Sequence, residues 1–338
     1  MKIFKQYLDN ASIETPKVGK LKNHTTTPMP PITTIAVAGA SGALGTPLVH
    51  ALLAANFQVT ALTRLDSQST HPPGVKVARV DYTSHSSLSA ALTGHDALVV
   101  TLTPSASGDQ DPIMRAAIAA GVYRIIPSEF GGDMLHPRVR TLPVFKGKRD
   151  TQTLVRRLCA ESRGTTTFTL VFNNLFLDWG IELGLAIDLA GKKMEFVDGG
   201  ERYFTAAPLE FIARGVVAIL QRPEETADRA IRLSGVRMTQ KQLLRIAKKV
   251  VGEEGWTVTH IESEELKRRG YEGYRRSTSF GGSWVFDLVK FTLHADGYAG
   301  DFAGKEDNEL LGLEELDEEE VEEMMRRGVS FNTSYYGL

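Results

Sequence analysis

Residues 35–45 read IAVAGASGALG, a short apolar β-prone run that breaks into a Gly-x-x-Gly-x-x-Gly turn. Residues 46–56, TPLVHALLAAN, continue it with helical spacing of the apolar positions. A glycine turn between a strand and a helix is the context that makes such a string a dinucleotide site rather than a common loop. Gly39 allows the tight turn, Gly42 lets the backbone approach a pyrophosphate, and Gly45 lets the helix pack against the sheet. With Ser41, Ala43 and Leu44 between them, these residues present main-chain N–H groups to a phosphate at the positive end of the helix.

Outward from this turn the pattern repeats. QVTALTR (58–64) and VKVARVDY (75–82) read as strands, SLSAALTG (87–94) as a helix closed by glycine, and DALVVTL (96–102) as a strand. DPIMRAAIAAG (111–121) reads as a helix and VYRIIPSEF (122–130) as a fifth strand. The strands are too apolar to be half-exposed, which is the mark of a parallel sheet covered on both faces. The fold class is therefore α/β, a Rossmann-type doubly wound parallel sheet. GKRDTQTLVRRLCAES (147–162) continues as a helix and TTFTLVFNN (166–174) as a strand.

We expect the nucleotide-binding domain over 32–175, with later segments returning to it, and a smaller α/β substrate lobe over 176–338. The lobe includes VDGGERYFT (197–205) as a polar turn and an acidic helix over 311–328, whose charges read as a solvated face. Residues 1–31 are polar and rich in Thr and Pro, a flexible N-terminal extension.

The end of the second strand discriminates between cofactors. An acidic residue there accepts ribose hydroxyls, but this chain carries Arg64, with Asp66 two residues on. A guanidinium pairs with a 2′-phosphate through charge-assisted hydrogen bonds, so the expected cofactor is NADPH. Asp81, at the end of the third strand, either meets the adenine or caps the next turn. Thr101 and Thr103, at the end of the fourth, lie on the ribose and nicotinamide side, because ligands of open α/β sheets bind at the carboxyl ends of strands.

Composition narrows the class further. Of 338 residues 42% are hydrophobic, and the formal net charge is −2, which gives no general attraction to nucleic acid or anionic lipid. No run reaches the ~20 apolar residues of a membrane span, and the N-terminal segment lacks the apolar stretch of a secretory signal, so a cytoplasmic enzyme of small molecules is expected. The histidines show no paired ligand spacing, so no metal is expected, and no Gly-x-Ser-x-Gly elbow points to a hydrolase. The single cysteine, Cys159, lies among apolar neighbours and reads as a buried, inert thiol.

GASGALG, the strand end LTR and above all Pro127-Ser128-Glu129-Phe130-Gly131 resemble the NmrA-like family of atypical short-chain dehydrogenases. The likeness is to the isoflavone reductase-like and phenylcoumaran benzylic ether reductase-like branch, in a fungal-type version. PVFKGKRDTQ and FTLVFNNLFLDWG strengthen it, and it covers roughly residues 35–235. The resemblance implies NADPH, a small substrate lobe, and a catalytic lysine on the helix after PSEFG in place of a Tyr-x-x-x-Lys pair. Lys148 matches that lysine and would also border the cofactor; Lys146 competes, and alignment on Val155-Arg156-Arg157 puts Gln152 there instead.

A lysine beside a nicotinamide stabilises a developing enolate or phenolate as an ammonium, or takes a phenolic proton if burial lowers its pKa. Glu129 either orients that lysine or caps backbone groups, and Asn173 and Asn174 end the sixth strand near the nicotinamide. Phe130, Phe176 and Trp179, with Glu129 and Asn174, are the candidate walls of a pocket for an aromatic substrate. The expected function is an NADPH-dependent reductase of a small aromatic or conjugated metabolite, and the fungal-type resemblance implies secondary metabolism. An NADP-sensing regulator acting through a partner protein, and an enzyme using NADP for a net non-redox step, are the alternatives.

Overall fold

A computed structural model describes residues 31–102, 110–279 and 282–330; Thr103 and the extension 1–30 lie outside the described residues. Seven parallel strands form the main sheet: β1 (Thr34–Ala38), β2 (Gln58–Arg64), β3 (Lys76–Val80), β4 (Ala97–Val100), β5 (Arg124–Ile126), β6 (Thr167–Phe172) and, much later, β10 (Arg229–Arg232). Their order is β3-β2-β1-β4-β5-β6-β10, so the direction of winding reverses between β1 and β4. A crevice at that switch point is where open α/β sheets bind ligands.

The β1 residues show why the central strands are apolar on both faces; edge strand β3 departs from that expectation, with Lys76, Val77 and Arg79 exposed because no further strand covers it. Ile35 and Val37 pack with α1 (Gly45–Ala54) and α6 (Leu209–Gln221), while Ala36 and Ala38 pack with α2 (His85–Leu92), α3 (Asp111–Ala119) and α4 (Lys146–Glu161). The Ser84 hydroxyl accepts from Ser87 N at 3.3 Å and so starts α2, and Pro112 occupies the first turn of α3. Cys159 is buried on α4, and burial pushes its thiol up to about 12, which keeps it un-ionised at neutral pH.

The remaining strands are short. β7 (Leu175–Phe176), β9 (Tyr203–Ala207) and β11 (Val236–Thr239) form one small sheet, and β8 (Lys193–Val197) pairs in parallel with β12 (Thr257–Ile261). Around them lie α5 (Leu177–Glu182), α7 (Gln240–Val251), α8 (Ser263–Arg276), α9 (Ser283–His294), α10 (Asn308–Leu311) and α11 (Glu318–Ser330). A capping box opens α7: Gln242 N donates to Thr239 Oγ1 at 3.1 Å, and Thr239 N to Gln242 Oε1 at 2.7 Å.

Two features depart from the sequence reading, and the returning segments it expected can be identified. The stretch 197–205 is not simply a polar turn, because after a brief helical turn at Asp198–Gly200 its end enters β9, where Phe204 and Thr205 are buried. The segments that return to the main layer are α6, against α1, and β10, against β6. The acidic helix is shorter than expected: α10 ends at Leu311, residues 312–317 are not helical, and α11 takes up the rest and buries Val321 and Met325. Its Glu318 and Glu322 pair with Arg245 and Lys249 of α7, so part of the charge run is a docking face. Among the described residues no helix is long and apolar enough to cross a membrane.

Candidate active site

The site begins where the glycine turn leaves β1. Thr101, at the end of β4, secures the turn: its N donates to Ala38 O at 2.8 Å, and its Oγ1 lies 3.1 Å from both Ala38 O and Gly39 O. Gly42 N donates to Gly39 O at 3.0 Å. A Cβ at Gly45 would collide with the Gly39 carbonyl oxygen, so only glycine lets α1 start this close to the turn. At the start of α1, Thr46 N donates to Gly42 O at 2.9 Å and Pro47 has no N–H, so a phosphate here would be met by N–H groups of the turn itself.

Beside the turn, Arg64 ends β2 with its side chain 76% exposed and Nε 3.8 Å from Asp66 Oδ1. An exposed pair at that separation is weak and leaves the guanidinium available to a stronger anion. The loop after β2 is fastened on two sides. Arg79 donates to Leu65 O and Ser67 O at 3.0 and 2.9 Å, and the Ser41, Ser67 and Ser69 hydroxyls form a chain with 3.1 Å links. Sequence reading passed over Arg79, Ser67 and Ser69; a loop rich in hydroxyls directly after Arg64 was the available signal. Asp81 accepts from the hydroxyl and N–H of Thr83 at 2.7 and 2.9 Å, and these bonds hold its carboxyl below the usual range. It therefore caps its own turn.

The other half of the site gathers at the ends of β5 and β6. Lys148, in the first turn of α4, donates from Nζ to the carbonyl oxygens of Glu129 and of Phe130, the latter at 2.9 Å. Lys146, two residues earlier, points elsewhere and pairs with Asp150 at 2.7 Å on the surface. Gln152 is buried one turn beyond Lys148, and its Nε2 donates to Glu129 Oε2 at 2.9 Å. Glu129 is only 1% exposed, and its Oε1 has no hydrogen-bond partner among the described residues. Burial raises its pKa, against the opposing influence of Lys148 and Gln152; burial lowers that of Lys148, against the opposing charge of Glu129.

Asn173 and Asn174 both donate their N–H to Gly131 O, at 3.0 and 2.9 Å, which ties the end of β6 to the PSEFG turn. Asn173 is fully buried and its Oδ1 lacks a partner. Asn174 donates from Nδ2 to Gly300 O at 2.9 Å, so it anchors the segment after α9. Phe176 and Trp179 meet edge to face at 5.9 Å and pack into the same apolar cluster as Ala40, Leu44 and Phe130. Between them Asp178 caps α6 by accepting from Leu209 N, and burial pushes its carboxyl up to about 6. Thus the glycine turn, Arg64, Thr101, Glu129 to Gly131, Lys148 and Asn173 share one edge of the sheet, with Glu129 and Phe130 set into its core.

A doubly wound sheet with this turn, this PSEFG corner and a lysine on the following helix defines a class, and residues 31–274 match it: the chain belongs to the NmrA-like family. It is 32% identical to oxidoreductase poxI of Penicillium oxalicum over 293 residues, 84% of this chain and 91% of that protein. It is 31% identical to oxidoreductase aprR of Aspergillus flavus, over 85% of this chain and 96% of that one. Among solved structures, leucoanthocyanidin reductase of Vitis vinifera in complex with NADPH superposes with a TM-score of 0.72 at 17% identity, covering 88% of this chain and all of that one. An isoflavone reductase superposes with 0.67 at 21% identity, over 87% and 99%.

Proposed function

We propose that this oxidoreductase uses NADPH to reduce a small aromatic or conjugated metabolite, in secondary metabolism, with Lys148 as the catalytic residue. The observation that carries the reading is the position of Lys148, whose Nζ is held at the end of β5 by two main-chain carbonyls. An ammonium has three donors, and two are committed there, so the third is left for a substrate oxygen. Leucoanthocyanidin reductase bound to NADPH, and the structure described as holding NADP+ and (+)pinoresinol, share the fold and support the choice of cofactor.

The residues fit that cofactor. The turn 39–45 would take the pyrophosphate, Arg64 the 2′-phosphate with the Ser41, Ser67 and Ser69 hydroxyls beside it, and Asn173, whose Oδ1 has no partner among the described residues, would lie on the nicotinamide side of the edge. The nicotinamide supplies the hydride. What the protein adds is Lys148: it places a donor where negative charge develops on an acceptor oxygen, in partly buried surroundings that strengthen the interaction. Phe176 and Trp179, set edge to face, offer apolar ring surfaces to an aromatic substrate.

The test is oxidation of NADPH with a panel of phenolic, enone and quinone substrates, compared between the wild type and Lys148→Met. Turnover in the wild type that falls by about 10²-fold or more in the variant, as for loss of an acid–base group, supports the reading. No turnover across the panel, or full activity in Lys148→Met, overturns it.

A further inference from the structure

We propose that Glu129 is a positioning residue that sets the protonation state of Lys148 from inside the core, with Gln152 fixing the carboxyl that does so. The inference rests on the reading of Lys148 above. Lys148 and Gln152 stand four residues apart on α4, hence on one face of the helix. Both reach the same residue: the lysine takes the Glu129 main-chain oxygen, and the glutamine takes its carboxyl Oε2. Successive turns of one helix therefore grip Glu129 by its backbone and by its side chain.

A purely structural carboxylate in the core is normally satisfied by N–H groups, as Asp178 is by Trp179 N and Leu209 N. Among the described residues the Glu129 carboxyl caps no N–H: one of its oxygens has a single partner and the other has none, although an ionised carboxylate accepts about four bonds. Packing alone would be served as well or better by an apolar side chain of the same length, because an under-solvated buried charge is costly. What remains for Glu129 to contribute is its charge.

That charge falls on few groups. From α4 the facing cations are Lys148 and Arg156, and Arg156 lies over the Phe168 ring at 5.0 Å. From α3 the neighbouring polar group is Gln110, bonded to Ser128 N, and from the end of β6 it is Asn173; both are neutral. Among the described residues Lys148 has no charged neighbour of comparable influence to Glu129. While the carboxyl is ionised the ammonium is favoured, and when it takes a proton the neutral amine is favoured. The two groups titrate as a pair, so the proton inventory of Glu129 decides the form in which Lys148 meets substrate.

The experiment is a ¹³C NMR titration of the Lys148 Cε resonance in the full chain, assigned by its loss in Lys148→Arg. Glu129→Gln is expected to lower the midpoint by about one pH unit, tenfold in the acid dissociation constant. Gln152→Met, which leaves the carboxyl without its one partner, is expected to lower it by less, and each variant's kcat/KM profile is expected to move in step. An unmoved Lys148 midpoint in both variants overturns the proposal; if Glu129→Gln does not fold, an unmoved midpoint in Gln152→Met alone does so. Because the titration needs no substrate, a shifted midpoint beside a fully active Lys148→Met would leave this coupling standing and remove only the catalytic reading.

Discussion

Lys148 Nζ lies so close to the Gly131 backbone that a Cβ at residue 131 would come within 2.9 Å of it. The glycine of the PSEFG corner is thus the space through which the lysine reaches the carbonyls of Glu129 and Phe130. Gly131→Ala is expected to push the ammonium aside while the nucleotide half of the site stays intact. Turnover should fall roughly 10²-fold, the scale of an ångström's misplacement, with NADPH affinity unchanged by calorimetry. Equal losses of turnover and cofactor affinity would contradict this.

Gly45 makes a corresponding contact in the other half of the site, against the Gly39 carbonyl. That neighbour is backbone and cannot rotate away. Gly45→Ala should therefore cost about 1–3 kcal/mol in urea unfolding, as overpacking does, and weaken nucleotide binding as well. An unchanged unfolding midpoint would show that the turn relaxes freely.

Among the described residues Arg64 has only the distant Asp66 as a charged partner, so its removal should leave the fold unchanged. Losing a hydrogen bond to a charged group costs about 1.5–3 kcal/mol. Arg64→Ala is accordingly expected to raise the Kd for NADPH by about 10- to 100-fold and to leave that for NADH nearly as it was. Parallel weakening of both coenzymes would remove the 2′-phosphate role from this residue.

His294 is buried on α9 against the Phe204 ring, 5.1 Å between centroids. Burial, and then the Lys290 charge, push its imidazole down to about 3. The unfolded chain takes up this proton near pH 6.5, whereas the folded chain resists it. The neutral ring's contribution to stability is thus complete above pH 6.5 and is lost as the pH falls toward about 3. The slope is about 1.4 kcal/mol per pH unit for one proton. Between pH 6 and pH 5, wild-type unfolding free energy should drop by about that much more than His294→Leu does; equal drops would argue that the folded protein already carries the proton.

Part of this site was legible before any coordinates. That the glycine turn, Arg64 and the strand ends would meet at one edge of the sheet followed from their short, regular spacing along successive strands, and the structure brings them together there. Other parts were hidden by their chemistry. Arg124 looks like a surface charge in a strand, yet it is fully buried and donates to the Thr167, Thr169 and Thr226 hydroxyls and to Pro223 O. Those partners come from distant segments and share no spacing with it. The strand RAIR, with an arginine at each end, gave little sign that it would complete the main sheet beside β6.

The alternation of buried central strands with amphipathic helices, and the turn that begins it, were determined by local sequence, because inner parallel strands covered on both faces must be apolar throughout, whereas the edge strands β3 and β10 carry exposed charges. Which of Lys146, Lys148 and Gln152 meets the end of β5 was not. All three sit on one helix, and only the angle at which that helix packs on the sheet decides which face is turned inward. Lys148 and Gln152, one turn apart, share the inner face, and Lys146, two residues earlier, is carried around to solvent. Helical phase is set by the burial of Val155, Leu158 and Cys159 further along α4, so the position of the lysine is decided by packing about two to three turns away.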